Sequence, residues 1–192
     1  MTPYQMHILG SFDYSLCGPC VCIFQGGGRF DYDCCSFHYL TDTKKYAKRF
    51  NGNIHGEVFS EWEEEMERYC SIADWAMDIL KGCSQVAIEG YAFGATGRVF
   101  NIAENTGVLK YKLYQEGIPT TIIAPTENKK FATGKGNADK TAMHHSFVLD
   151  TGINLKGLIT PDKKDVTSPV SDIVDAFYLC KILHGQVILN SI

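Results

Sequence analysis

The sequence contains no long run of apolar residues. Its longest apolar runs have the length of a β-strand, whereas a membrane-spanning helix needs about 20 consecutive apolar residues. The opening segment Met1–Gln5 lacks a basic start followed by an apolar stretch, so we expect no export signal. Internal repeats and low-complexity tracts are also missing from the sequence. These absences predict a globular protein with a cytoplasmic location and no membrane partner.

Positive charge is scarce as well. The chain has 18 Lys and Arg residues against 22 Asp and Glu residues, and its formal net charge is −4. This balance excludes a generally basic surface, so any binding of nucleic acid must depend on a local basic patch. With 192 residues, 45% of them hydrophobic, the chain can bury a full core, and we expect one domain spanning residues 1–192.

Cysteine, by contrast, is abundant, with eight residues. Because the chain has a real core and no export signal, reduced thiols are favoured over disulfides. The segment Cys17-Gly18-Pro19-Cys20 is identical to the thioredoxin redox motif, but a strand pattern follows it where thioredoxin has a helix. Buried thiols at a hairpin are one alternative, and a zinc site is another, because the C-x₂-C spacing suits zinc. A zinc site would draw on Cys17, Cys20, Cys34, Cys35 or His38.

Apolar periodicity and capping residues predict alternating strands and helices. The expected strands are His7–Phe12, Gly18–Phe24, Ser36–Leu40, Gln85–Ile88 and a buried strand Thr120–Ala124. The expected helices are one from an N-cap at Ser60, with Glu63 completing a capping box, to Gly82, then Val99–Leu113, Ala138–Val148, and one from Ser168-Pro169 to Gly185. Pro125–Asn137 is expected to be a polar stretch and Leu149–Ser168 a loop. This order predicts an α/β or α+β layered domain.

Four carboxylates stand at positions where acidic residues are unusual. Asp13 and Glu89 each close a short strand-like apolar run, and Asp172 and Asp175 lie three residues apart at the start of the last helix. Residues three apart share one helix face, so both can reach one site. Taken singly, these residues can be explained as surface or helix-capping acids. Taken together, carboxylates on two strands and one helix face suit a pair of divalent cations, which predicts metal-dependent phosphodiester chemistry.

Four segments, in this order along the chain, resemble one known family. They are Phe12-Asp13-Tyr14-Ser15, Val86-Ala87-Ile88-Glu89-Gly90, the stretch Lys129–Lys140 with the form K-x₄-G-x-G-x-A-x-K, and Asp172-Ile173-Val174-Asp175-Ala176. The chain resembles the RuvC-type Holliday junction resolvases, and phage-encoded members in particular. This resemblance implies a ribonuclease H-like fold, with a central mixed sheet flanked by helices, and a homodimer. It also implies nicking of branched DNA, especially four-way junctions, with Mg²⁺ as cofactor and Mn²⁺ as a substitute.

The resemblance also implies roles for individual residues. The implied metal ligands are Asp13, Glu89, Asp172 and Asp175. Lys129 and Lys140 would lie beside the scissile phosphate as catalytic residues. The other basic residues near them, Arg98, Lys130 and Lys135, are interpreted as DNA contacts, with ordinary solvated side chains as the alternative. Tyr91 or Phe93 would stack on an unpaired base at a junction centre, with burial in the core as the alternative.

Two departures from the family pattern leave the specificity open. The turn Leu16–Cys20 is not rich in Gly, Ser and Thr, and the insert Gln25–Glu57 is longer and more polar than in the cellular enzymes. The alternatives are therefore another ribonuclease H-like nuclease, which would cut RNA–DNA hybrids or transposon ends, and a junction-binding protein without activity. The pair His144-His145 could supply a general base, with a structural role as the alternative. The apolar stripe of the Val99–Leu113 helix, with Gly107 allowing close approach, is one candidate surface for a homodimer.

Overall fold

The computed structural model describes residues 6–91 and 99–190. Within these ranges, one mixed sheet carries helices on both faces. The strands are β1 (His7–Asp13), β2 (Cys20–Gly26), β3 (Cys35–Thr41), β4 (Arg49–Phe50), β5 (Ile54–Val58), β6 (Gln85–Glu89) and β7 (Thr120–Ile123). The helices are α1 (Glu65–Leu80), α2 (Val99–Gln115), α3 (Pro125–Thr133), α4 (Lys140–Thr151), α5 (Leu155–Ile159) and α6 (Val170–Leu189). No helix in this part of the chain is both long and apolar enough to cross a bilayer.

The sheet joins antiparallel and parallel strand pairs. Its strand order is β4-β5-β3-β2-β1-β6-β7. β1, β2 and β3 form an antiparallel meander, whereas β6 runs parallel to β1, β7 runs parallel to β6, and β5 runs parallel to β3. Neighbouring parallel strands end at the same edge of a sheet, so the residues at the ends of β1 and β6 meet there. This central mixed sheet flanked by helices confirms the predicted fold class.

The buried helix α6 covers one face of the sheet. It packs on β1, β2 and β6, with α3 and α4 beside it. Phe177, Leu179 and Leu183 of α6 are almost completely buried, and the Phe177 ring contacts the rings of Phe37 and Phe147. Burying each such side chain stabilises the fold by roughly 1.5–3 kcal/mol. Burial of these apolar side chains therefore fixes α6 on the sheet. It also sets the position of the polar residues at the N-terminal end of α6.

The opposite face is covered by α1 and α2, which pack against each other. Ile72 and Leu80 of α1 and Leu109 of α2 are buried in one cluster with Phe12 of β1 and Val86 of β6. The two helices thus follow the amphipathic stripes that the sequence predicts. Successive side chains of a strand point to opposite faces of a sheet, so the neighbours of Phe12 in β1 face α6.

The start of α1 differs from the prediction. Glu64 is the N-cap, and the Glu67 carboxylate accepts the backbone N–H groups of Glu63 and Glu64. The predicted capping box at Ser60 and Glu63 is therefore wrong. The segment 61–67 is rich in Glu, so it offers more than one pair of residues at the three-residue spacing of a capping box. The observed box uses Glu64 and Glu67, because the Glu67 carboxylate binds two unpaired N–H groups at the helix start.

Residues 125–137, predicted to be a polar stretch, contain the helix α3. Pro125 occupies its first turn, where a missing N–H costs nothing, and Gly134 ends the helix with a positive φ of 78°. The predicted Leu149–Ser168 loop is also partly helical, because α4 continues to Thr151 and α5 follows. Helix α6 starts at Val170 after an N-cap Pro169 and continues through Gly185 to Leu189, because Gly185 does not adopt a positive φ.

Two strand predictions also need correction. The insert Gln25–Glu57 contains the predicted strand β3. It also contains β4 and most of β5, which were not predicted and which extend the sheet. β5 pairs with β3, where Gly56 is the register partner of Tyr39, and the Tyr39 hydroxyl donates to the Tyr46 carbonyl at 2.6 Å beside Gly56. The strand predicted as buried at 120–124 is the edge strand β7, and Thr120 and Ile122 are exposed. β-branched residues favour a strand, but they do not decide how deep it lies.

Candidate active site

Asp13 and Glu89 stand at the carboxyl ends of two neighbouring parallel strands. Phe12 and Ile88 are register partners in β1 and β6, so the next residue of each strand reaches the same sheet edge. Phe12 and Ile88 point into the core under α1 and α2. Because side chains alternate along a strand, Asp13 and Glu89 point to the face that carries α6. The strand register therefore places these two carboxylates side by side.

Helix α6 carries Asp172 and Asp175 to that same face. Two hydrogen bonds to its backbone fix its position: the Ser11 hydroxyl donates to the Ala176 carbonyl at 2.6 Å, and the Asn128 side-chain amide donates to the Asp175 carbonyl at 3.2 Å. Ser11 and Asn128 are fully buried. These bonds tie the acidic turn of α6 to β1 on one side and to α3 on the other.

The four carboxyl groups interact electrostatically. Burial raises the pKa of Asp13 well above its ordinary value, and the three other carboxylates raise it further. Burial and the neighbouring Asp175 raise the pKa of Glu89 to about 7. Burial and the neighbouring Asp172 raise the pKa of Asp175 to about 6. Burial therefore raises the pKa of all four acids, and repulsion among the carboxylates adds to the rise at Asp13, Glu89 and Asp175.

Asp172 has hydrogen-bond partners on both of its oxygens. Oδ1 accepts the Ser171 hydroxyl at 2.8 Å, and Oδ2 accepts the Ser168 hydroxyl. Burial raises the pKa of Asp172, whereas these two hydroxyl groups and Lys140 lower it. Gly18, in the β1–β2 turn, lies against this group, because a Cβ there would collide with the Asp172 carboxylate and lie 2.6 Å from Ser168 Oγ. The absence of a side chain at Gly18 allows this close approach.

The two lysines predicted beside the scissile phosphate both lie within reach of the carboxylates. Lys129, on α3, opposes the rise in pKa that burial causes at Glu89 and Asp175. Lys140, the first residue of α4, opposes it at the three aspartates, and its Nζ donates to Ser171 Oγ at 3.3 Å. Two cations facing four carboxylates leave negative charge in excess at this edge.

For the residues predicted to contact DNA, the structure shows exposure to solvent and no hydrogen bond to the four carboxylates among the described residues. Lys130 on α3 and Lys135 in the following turn are exposed. Tyr91 is 40% exposed, and Lys110 Nζ lies 5.0 Å from the centre of its ring. Tyr91 is thus not a core residue. Phe93 and Arg98 lie outside the described residues.

The redox, zinc and general-base alternatives find no support in the structure, whereas buried thiols do occur in the β1–β2 hairpin at Cys20 and Cys22. All eight cysteines are free, with Cys17 exposed and Cys20 buried in β2. Cys20 begins strand β2 instead of a helix, and burial and the nearby aspartates raise the pKa of its thiol, so the structure does not support the redox interpretation. Among the described residues, which include the five candidate zinc ligands, no metal-binding group with Cys or His forms. His144 is buried, and its Nε2 accepts the Lys156 backbone N–H at 3.3 Å, which makes it a structural residue.

The chemistry of the donor set fits Mg²⁺. Mg²⁺ takes a few carboxylate oxygens and completes its shell with water and phosphate oxygens. Burial first, and repulsion by neighbouring carboxylates second, raise the pKa values of Glu89 and Asp175, and a bound divalent cation would favour the charged form of both groups. In the arrangement observed for the described residues, no three Asp, Glu, His or Cys side chains stand close enough together to hold a metal ion. Binding a cation here would therefore require the carboxyl groups to move closer together.

Solved structures of a bacterial protein share this architecture. "Thermus thermophilus RuvC structure" matches with a TM-score of 0.62 and 16% identity over 96% of this chain and 97% of that chain. The chain has the fold of RuvC. A second structure, "T. thermophilus RuvC in complex with Holliday junction substrate", matches with a TM-score of 0.60 and 15% identity over 95% and 98%. No family model and no curated protein matches the sequence significantly. The predicted resemblance to RuvC is thus confirmed at the level of the fold.

Several residues that hold the carboxylate edge together did not stand out in the sequence. Ser168 was predicted to cap α6, but Pro169 is the N-cap and the Ser168 hydroxyl binds Asp172 instead. A hydroxyl residue one helical turn before an acid is a signal that the sequence does contain. Ser11 and Asn128 carry no such signal, because their partners lie 165 and 47 residues away.

The raised pKa of Glu89 leads to a prediction about the metal-free protein. Between its ordinary value of 4.5 and the folded-state value of about 7, the folded protein retains a proton that the unfolded chain releases. The free energy of unfolding therefore falls as pH rises through this window. We expect Glu89→Gln to stabilise the metal-free protein at pH 8 by on the order of 2 kcal/mol and to lose this advantage below about pH 4.5. Thermal unfolding with a chelator checks this, with exposed Glu61→Gln as control; equal melting temperatures at pH 8 contradict it.

Proposed function

We propose that this protein is a metal-dependent endonuclease that nicks branched DNA, four-way junctions above all. The observation that carries the proposal is the set of four interacting carboxylates with two lysines at one edge of a RuvC-like fold. A neighbour with this fold is in complex with a Holliday junction substrate, which supports branched DNA as the partner. Forks and three-way branches are further candidate substrates.

In this proposal, Asp13, Glu89, Asp172 and Asp175 hold Mg²⁺, or Mn²⁺ in its place. When bound, the metal would neutralise charge on the scissile phosphate and assist attack by water. The strand-end acids supply rigid ligands from the sheet, and the α6 acids supply ligands from one helix face.

The lysines would complete the site on the side of the substrate. Lys129 and Lys140 lie near the acids, so a phosphate drawn to the carboxylate-bound metal would come within their reach. A positively charged group beside a phosphate stabilises the charge that develops during displacement. Lys130, Lys135 and Arg98 would contact the DNA backbone, and Tyr91 or Phe93 would stack on an unpaired base.

The crowding of the acids favours an enzyme over a passive junction-binding protein. Four interacting carboxylates repel a polyanion and lower the stability of the folded chain, and neither effect benefits a protein that only binds DNA. A ribonuclease H-like nuclease for RNA–DNA hybrids or transposon ends would use the same acids. The lysine segment that resembles the RuvC-type resolvases favours the branched substrate over these alternatives.

We also propose a homodimer formed through α2. The predicted interface, the apolar stripe of this helix, is wrong, because Leu109 and Leu113 are buried in the core.

The exposed stripe of the same helix takes its place. Phe100, Tyr111 and Tyr114 are 76%, 61% and 82% exposed, and their spacing places them along one stripe of the helix. Gly107 lies in the same stripe, and nothing lies within 4 Å of a Cβ built there, so a second helix can approach closely. A stripe of exposed aromatic rings is typical of an interaction surface. A junction with near two-fold symmetry needs two nicks, which two identical subunits supply.

The first prediction tests the reaction. Asp175→Asn should lower the single-turnover rate of cutting a synthetic four-way junction roughly 10³-fold, because a metal ligand contributes several kcal/mol to the transition state. Junction binding, measured with Ca²⁺ in place of Mg²⁺, should stay near the wild-type value. Asp165→Asn, an exposed acid, is the control. Wild-type protein that cuts RNA–DNA hybrid or linear duplex as fast as the junction contradicts the branch specificity.

The second prediction separates two roles for lysine. Lys140→Ala should lower the cleavage rate far more than the junction affinity, because Lys140 lies among the acids. Lys135→Ala should weaken binding and reduce the salt dependence of the affinity by about one unit, with little change in the cutting rate. Exposed Lys164→Ala serves as control. Wild-type single-turnover rates in both Lys140→Ala and Lys135→Ala would show that this segment has no catalytic share.

The third prediction concerns the dimer. Tyr114→Asp should convert the protein from a dimer to a monomer in sedimentation experiments at micromolar concentration, because a carboxylate would be buried without a partner at the interface. Leu149→Asp, a matched change at a residue 73% exposed on α4, should leave the dimer intact. A wild-type monomer with full cleavage activity would exclude the dimer.

A further inference from the structure

The carboxylate of Asp172 is held by two serines. Its Oδ1 accepts the hydroxyl of the preceding residue, Ser171, and its Oδ2 accepts the hydroxyl of Ser168, one helical turn earlier. Ser171 is 3% exposed and Asp172 is 8% exposed, so water does not compete freely for the bond between them. Each carboxylate oxygen has two lone pairs, so a serine proton on each leaves one lone pair per oxygen for another partner.

The direction of the bonds around Ser171 follows from the chemistry of the groups. The ammonium of Lys140 can only donate, so at 3.3 Å it must use a lone pair of Ser171 Oγ. The single hydroxyl proton of Ser171 is then directed to Asp172 at 2.8 Å. The result is a chain from ammonium through hydroxyl to carboxylate, in which each bond polarises the next. Ser171 thereby connects Lys140 to Asp172.

The third side of Asp172 is closed by backbone. Gly18 approaches so closely that an added Cβ would collide with the carboxylate. Ser171, Ser168 and the Gly18 turn together restrict the rotation of the carboxyl group. Hydrogen-bond partners of a metal ligand usually orient it, and their removal typically costs 10–100-fold in metal affinity.

We propose that Ser171 is a positioning residue of the metal site, which orients the Asp172 carboxylate and links it to Lys140, with Ser168 holding the second oxygen. This inference rests on the proposed function, in which Asp172 is a metal ligand. It goes beyond that function because neither serine touches the metal or the substrate. Their hydroxyl protons fix the direction of the free lone pairs of Asp172, so the ligand is oriented before a cation arrives.

The experiment measures metal binding apart from cutting. Calorimetric titration of the metal-free protein with Mg²⁺, without DNA, should show about tenfold weaker affinity in Ser171→Ala and in Ser168→Ala. Ser171→Thr retains the hydroxyl and should stay within about twofold of wild type. In a double-mutant cycle with Lys140→Met, the effects of the two changes on Mg²⁺ affinity should not add, because both changes break one chain of bonds.

Cleavage of a four-way junction gives a second readout. In Ser171→Ala the Mg²⁺ concentration for half-maximal single-turnover rate should rise about tenfold, with the rate largely restored at saturating Mg²⁺. Ser84→Ala is the matched control, since the Ser84 hydroxyl donates to the Ile8 carbonyl at 3.1 Å, at the opposite end of β6 from Glu89. Its Mg²⁺ midpoint should not change.

The outcomes distinguish the inference from the function on which it rests. Wild-type Mg²⁺ affinity in folded Ser171→Ala and Ser168→Ala overturns the positioning role, even if the wild-type protein cuts junctions. Conversely, a wild-type protein that binds Mg²⁺ in a manner dependent on Ser171 but cuts no junction overturns the proposed function and supports the inference. Because Ser168 is exposed, its variant provides a test even if Ser171→Ala does not fold.

Discussion

The repulsion among four partly buried carboxylates is the constraint on which the rest of this structure depends. Burial and this repulsion together raise the pKa of Glu89 to about 7. A cluster of this kind persists only if other interactions hold its members in place. Those interactions are the apolar burial of α6 against the sheet and two buried hydrogen bonds to the α6 backbone, from Ser11 and Asn128. The core therefore supplies the stability that the carboxylate edge lowers.

The topology explains why these acids meet although they are far apart in sequence. β1 and β6 are parallel neighbours, so their carboxyl ends share one edge and bring Asp13 next to Glu89. α6 crosses the same face and presents residues three apart toward that edge. The two nearby lysines come from α3 and from the first turn of α4. The fold thus places two positive charges beside the four acids, although the chain as a whole has a negative net charge.

The Cys-Gly-Pro-Cys segment has a structural role in this arrangement. Cys20 lies in β2 as the register partner of Asp13, and its buried thiol is close enough to the three aspartates for them to add to the rise in its pKa that burial causes. The Pro19 carbonyl accepts the Leu40 N–H at 3.2 Å, which extends the pairing of β2 with β3. Gly18 lets the turn approach Asp172 closely. The motif therefore shapes the edge of the site, and its likeness to a redox signature is a coincidence of residue types.

Elements and acidic residues that follow a local sequence pattern could be predicted before the structure was known. Strand runs ending in Asp13 and Glu89, the helical spacing of Asp172 and Asp175, and the order of the four segments were enough to predict the fold and to nominate the acids. The tertiary structure was needed where several residues could fill one role, and where a residue's partner lies far away in the sequence. The start of α1 depended on which of several Glu residues bound the free N–H groups, and the depth of β7 depended on its place at the sheet edge. The roles of Ser171 and Asn128 depended on Lys140 and Asp175, 31 and 47 residues away, because a hydrogen bond is decided by positions in space that local periodicity does not encode.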